Sequence, residues 1–125
     1  MRDVALVVAV GFIGIAVFQA ALVVGAPLGQ AAWGGQHRRL PANLRIGSAI
    51  AIVVWLVAAS IVLGHAGFDV PSPSDSVRGW AIWVVAGLLA VGTVMNAASR
   101  SRWERFVWAP VSLVLGLLTI LVATR

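Results

Sequence analysis

Apolar residues run almost unbroken through four stretches of this chain, and polar residues gather in the intervals between them. Residues 4–24 carry no charge and a single polar interior side chain, Gln19. Residues 44–63, 77–97 and 102–123 make up the other three runs. Each is about 20 residues long, or ~30 Å as a helix rising 1.5 Å per residue, which matches the hydrocarbon thickness of a bilayer. The pattern predicts one all-α membrane domain over residues 1–125, an antiparallel bundle of four transmembrane helices. A secretory signal would have an apolar region of roughly 7–15 residues before its cleavage site. Residues 4–24 exceed that, so they read as a retained first span.

The punctuation between runs predicts how the helices begin and end. Gly25 should close the first helix, because glycine accepts the left-handed cap. Pro27 suits the first position of a short helix over Leu28–Trp33, stopped by Gly34-Gly35. That uncharged stretch is too short and glycine-rich to span, which predicts an interfacial or re-entrant segment between helices 1 and 2. Gly64 marks the end of the second helix. Ser72-Pro73-Ser74-Asp75 reads as a helix start with Ser72 as N-cap, and Ser101 with Glu104 forms an S-x-x-E capping box. Pro110 falls inside the fourth run and should kink it, with Ser112 placed to satisfy freed backbone groups. Small residues recur where helices could approach closely: Gly11, Gly14, and the pairs Ala5–Ala9, Ala16–Ala20, Gly47–Ala51 and Ala86–Ala90. Ser48 can return its hydroxyl to the backbone. Trp55 lies mid-span, where its indole N–H needs a partner. Trp80 and Trp83 suit the aromatic belt of the interface.

Composition sharpens the membrane reading. The chain is 61% hydrophobic and 10% charged, with a mean hydropathy of +1.00, whereas soluble domains carry roughly 25% charged residues. The absence of cysteine excludes disulfides, thiolate catalysis and cysteine-based metal sites. The net charge of +5 comes entirely from arginine among the basic residues, and it sits in connections and at ends. Residues 25–45 and 98–105 hold six of the nine, Arg38, Arg39, Arg45, Arg100, Arg102 and Arg105, against Arg2, Arg78 and Arg125 on the other side. The positive-inside rule then puts the first set in the cytoplasm and both termini outside. Membrane lipids are the expected partners of these arginines. No nucleic-acid partner is expected, since the arginines are not interleaved with an aromatic platform.

Candidate chemistry is sparse. No span carries an ionisable group near its centre, which argues against ion-coupled transport and proton relays. His37 and His65 lie ~40 Å apart if helix separates them, so no metal site and no cofactor is expected. What remains is convergence at the predicted cytoplasmic mouth. Trp33, Gln36 and Arg45 from one connection, with Asn96 and Arg100 from the other, could line a pocket for a lipid-like or small anionic amphiphile. Glu104, the one acid among six arginines, is expected to anchor an ion pair. His37 and Glu104 form the only candidate proton-transfer pair. The default expectation is a non-enzymatic ligand-binding or accessory membrane protein. The alternatives are a small isomerase or hydrolase of a lipid-like substrate using that pair, and an oligomeric transporter or channel. A second copy of the chain or another membrane protein is a conceivable partner.

The spacing G-x-P-x-G-x-x-A-x-G-G followed by L-P-x-x-L-R, spanning Gly25 to Arg45, resembles that of small four-helix bacterial membrane proteins of actinobacterial and bacillus type. Residues Asn96–Pro110 resemble the third connection of the same group. Leu28 stands where tryptophan is frequent in that group. The resemblance implies a common fold and a bacterial plasma-membrane location. It brings no activity, cofactor or catalytic residue.

Overall fold

A computed structural model describes all 125 residues. The chain is all-helical, without strands. Helix α1 covers Arg2–Val23, α2 Ala42–His65, α3 Asp75–Ala97 and α4 Ala109–Ala123. A π turn, Glu104–Trp108, runs directly into α4, and two short 3-10 turns, Gly29–Ala31 and Trp33–Gly35, lie between α1 and α2. Four helical segments, the last counted from Glu104, are long and apolar enough to cross a membrane. Only 28 to 33% of the apolar stretch of each is buried, so most of their side chains keep some outer surface. Those outward rows are themselves apolar: Val10 and Val17 on α1, Ile46, Ile50 and Val53 on α2, Val91 and Val94 on α3, Leu113 and Leu117 on α4. A helix apolar on every side is stable in lipid and not in water.

The ends of α1 and α2 are set by glycine, as the sequence predicts for one of them. At Gly25 (φ +90°) the amide of Ala26 returns to Ala21 O at 3.0 Å and that of Gly25 to Leu22 O at 3.1 Å. This two-bond pattern needs a left-handed residue, which glycine supplies without a Cβ clash. The same pattern closes α2, but at Gly67 (φ +92°), where Phe68 N–H reaches Leu63 O at 3.0 Å. The expected stop at Gly64 is thus three residues early. Gly64 stays helical and buried because Ser72 and Arg78 pack over it, and a Cβ there would lie 2.5 Å from Ser72 Oγ. Ser72 is accordingly not the cap of α3: its hydroxyl accepts from Arg78 at 2.9 Å, and the helix begins after Ser74.

Proline shapes the start of α4 in an unexpected way. Pro110 has no N–H to give the carbonyl four residues back. The irregularity falls one turn earlier, where Ala109 N–H bonds Glu104 O five residues back and widens the helix. Such π turns relieve the crowding that a proline ring creates.

One end of the molecule is solidly packed. Val8 and Phe12 of α1, Val62 of α2, Ile82 and Leu89 of α3 and Val122 of α4 are fully buried in a single cluster. Small residues let the backbones close: Ala5, Ala9, Ala58, Ala59 and Ala81 belong to the same cluster. Gly14, by contrast, meets nothing within 4 Å of its would-be Cβ and takes no part in helix contact. Arg2 fastens the start of α1 to the end of α2, its guanidinium 3.9 Å from the Phe68 ring centroid and donating to Gly67 O at 3.2 Å. At the other end, the buried cluster shrinks to Leu22, Ala32 and Leu40, with Phe18 and Leu44 against it.

Candidate functional site

Between the helices at that second end lies a cavity of about 690 Å³. Its deeper wall is apolar: Ile15 and Phe18 of α1, Trp55 of α2, Leu88 and Leu89 of α3. Gly92 and Ala51, small residues on facing helices, leave the space open. Counted from Ala97 and Glu104, Leu88 and Ser112 stand about 12–14 Å down at 1.5 Å per residue, close to mid-helix. The outer wall is polar, with Gln36, His37, Asn96, Ser99, Arg100 and Glu104. An apolar interior under a few convergent polar groups is the usual form of a small-molecule site.

The segment between α1 and α2 roofs this cavity, and its conformation follows from close contacts. The short helix expected over Leu28–Trp33 is replaced by two separate 3-10 turns joined at extended Ala32. Gly29 explains the break. Its N–H donates to Arg38 O at 2.8 Å, folding the segment back on itself, and a Cβ at this position would lie only 2.0 Å from His37 O. Trp33 adopts a left-handed φ of +50°, followed by Gly34 at +80° and Gly35 at +75°. The left-handed region costs a non-glycine residue about 1–2 kcal/mol, which three contacts offset. The indole Nε1 donates to Ser48 Oγ at 3.0 Å, the ring lies over Gly47, and Gly34 N–H donates to Glu104 Oε1 at 2.9 Å. The Ser48 hydroxyl therefore serves the roof as an acceptor for Trp33, a contact that sequence spacing does not reveal.

The connection between α3 and α4 holds the roof from the other side. Ser101 Oγ donates to Gln30 O at 2.5 Å and accepts from Glu104 N–H at 3.3 Å. The first half of the expected capping box is thus present. The reciprocal half is not: Ser101 N–H goes to Ser99 Oγ at 3.1 Å, while the Glu104 carboxylate turns to Gly34 N–H and to the Ser99 hydroxyl at 2.6 Å. Nor does Glu104 anchor an ion pair. The chain's one ion pair joins Arg78 to Asp75, away from the cavity. Carboxylate bonds to backbone amides and hydroxyls are charge-assisted and satisfy groups that the roof would otherwise leave unpaired, which is why this acid is spent on backbone instead of arginine.

Of the residues singled out by sequence, Trp33, Gln36, Asn96 and Arg100 line the same cavity, together with His37 and Glu104. Arg45 does not. Its Nε donates to Leu40 O at 2.9 Å, and its guanidinium lies against Gly25, bracing the base of the roof. No hydrogen bond joins His37 to Glu104, whose Oε1 already accepts from two donors. Trp55 meets its mid-span neighbour through its ring, 5.2 Å from the Phe12 centroid. Sequence reading missed Gln19 and Trp108 as members of the wall. Gln19 was the available signal, as the single polar residue in an otherwise apolar span. Comparison with protein-family models, curated proteins and solved structures finds no match to the chain.

Proposed function

We propose that this chain is an antiparallel four-span membrane protein that holds a small lipid-like or amphiphilic ligand in its hollow end. The observation that carries the reading is the 690 Å³ cavity, apolar inside and polar at the rim. Support for antiparallel packing comes from the contacts of helix ends: Arg2 with Gly67, and Gly25 with Arg45. The uncharged residues 25–36 suit an interfacial or shallow re-entrant roof. The arginine count favours a cytoplasmic mouth and external termini in a bacterial plasma membrane. Arg100, exposed at the rim without an ion-pair partner, suits an anionic headgroup. Glu104 serves this reading as the bond that holds the roof, not as a proton donor.

Native mass spectrometry of protein purified in mild detergents tests the proposal directly. A retained amphiphile is expected; its repeated absence across several detergents would sink the reading. Topology is tested separately, because a cysteine-free chain permits clean single-cysteine labelling at positions 2 and 37. Label from outside the cell should reach position 2 and miss position 37, and the reverse result overturns the orientation.

A further inference from the structure

We infer that the cavity selects an amphiphile carrying an uncharged group that both donates and accepts a hydrogen bond, a hydroxyl or an amide, seated between Gln19 and Trp108. This rests on the ligand-binding reading above and deepens it. Just two buried side-chain polar atoms in the chain lack a hydrogen-bond partner, Gln19 Oε1 and Trp108 Nε1. Both residues line this one cavity, from different helical segments. The segments that carry them meet at the wall: the ring of Phe18, adjacent to Gln19 in sequence, lies 4.9 Å from that of Trp108.

The chain pairs such groups where they serve the fold, since Trp33 Nε1 has its own acceptor in Ser48. A buried donor or acceptor left unpaired forfeits its bond to water without return, and lipid offers no substitute partner. One of the two atoms accepts and the other donates. With the Gln19 amide held as it stands, Oε1 inward, a carboxylate or phosphate would satisfy Trp108 but set lone pairs against Gln19 Oε1, and an ammonium would do the opposite. A hydroxyl or secondary amide serves both. Gln19 stands four residues before the end of α1, about 6 Å inside the rim at 1.5 Å per residue. The charged side chains of the wall, Arg100 and Glu104, belong to the connection and the turn that begin α4.

Size narrows the class further. A void of about 150 Å³ holds one benzene, six carbons. At that ratio 690 Å³ holds roughly 25–30 heavy atoms, enough for one chain with a small head and too little for a diacyl phospholipid.

The test titrates the intact protein in mild detergent with tetradecanol, its methyl ether and tetradecanoate, read by native mass spectrometry. The alcohol should bind about tenfold tighter than the ether, a difference of roughly 1.4 kcal/mol, and tighter than the carboxylate. Gln19→Met should bring the alcohol down to the ether's affinity and leave the ether unchanged, whereas Trp108→Phe should weaken both, because the ether oxygen also accepts from the Trp108 N–H. Equal binding of alcohol and ether, an alcohol preference that survives Gln19→Met, or binding of both that is untouched by Trp108→Phe overturns this inference alone. If none of the three probes binds, the ligand-binding reading falls with it.

Discussion

The two ends of this molecule are built on the same helices and behave differently. At one end Val8, Phe12, Val62, Ile82 and Val122 close into a cluster with almost no exposed surface. At the other, the same four helices stand around a cavity, and the small cluster there is completed by Ala32 and Leu40 from the connection that roofs it. Hydrophobicity does not separate the two, since lipid is as apolar as either interior and gives helices no reason of that kind to associate. Contact geometry does. Alanines at the packed end let backbones meet, whereas the hollow end sets three tryptophans, Trp33, Trp55 and Trp108, around a space that Ala51 and Gly92 leave empty. What holds the hollow end is a set of hydrogen bonds between its two connections, with Glu104 and Ser101 at the centre.

The contrast can be broken at named positions. The largest effect is expected at the roof, from Gly29→Ala, because the new Cβ would fall 2.0 Å from the backbone oxygen of His37 and nothing flexible can move aside. A loss of about 3 kcal/mol is expected, the upper part of the overpacking range, read as detergent unfolding followed by tryptophan fluorescence. Phe12→Ala at the packed end should cost about 2–3 kcal/mol, the cavity part of the usual Phe→Ala penalty. In the same assay Ile15→Ala, on the cavity wall, should cost far less; comparable losses would show that the hollow end is packed after all. Glu104→Ala should cost about 2 kcal/mol through the unpaired Gly34 amide and Ser99 hydroxyl, and Glu104→Gln about half of that, because a neutral acceptor remains. Amide exchange at Gly34 would report the release, and unchanged protection in Glu104→Ala would refute the latch. The smallest effect on stability belongs to Gly92→Leu, where a Cβ meets no atom closer than 3.9 Å. Stability should be unchanged or raised by up to about 1 kcal/mol, while any ligand retained by the wild type is lost.

The four spans were legible because their signal is local. A run of about 20 apolar residues needs no knowledge of its neighbours to be read as a helix that lipid can solvate. The glycine stop at Gly25 and the serine at Ser101 were legible for the same reason, since a cap is a matter of adjacent residues. Where a second segment intervened, local reading failed. Gly64 kept its helix because Ser72 and Arg78 pack on it, and the roof lost its short helix because Gly29 is pinned to Arg38. Trp33, Gln36, Asn96 and Arg100 could be grouped from helix order alone, since both connections fall at one end. Arg45 was grouped with them on the same grounds and faces elsewhere.

The sequence by itself therefore determined that the chain has four helices long and apolar enough to cross a membrane, and which connections share an end. The tertiary structure decided the rest: that Glu104 bonds an amide instead of an arginine, that the helices leave a cavity at one end, and that Gln19 and Trp108 both line it. The physical reason is one of range. Partition into lipid is a property of each segment's own side chains, while the partner of a buried polar group is chosen by whatever the fold brings within 3 Å of it, about one hydrogen-bond length.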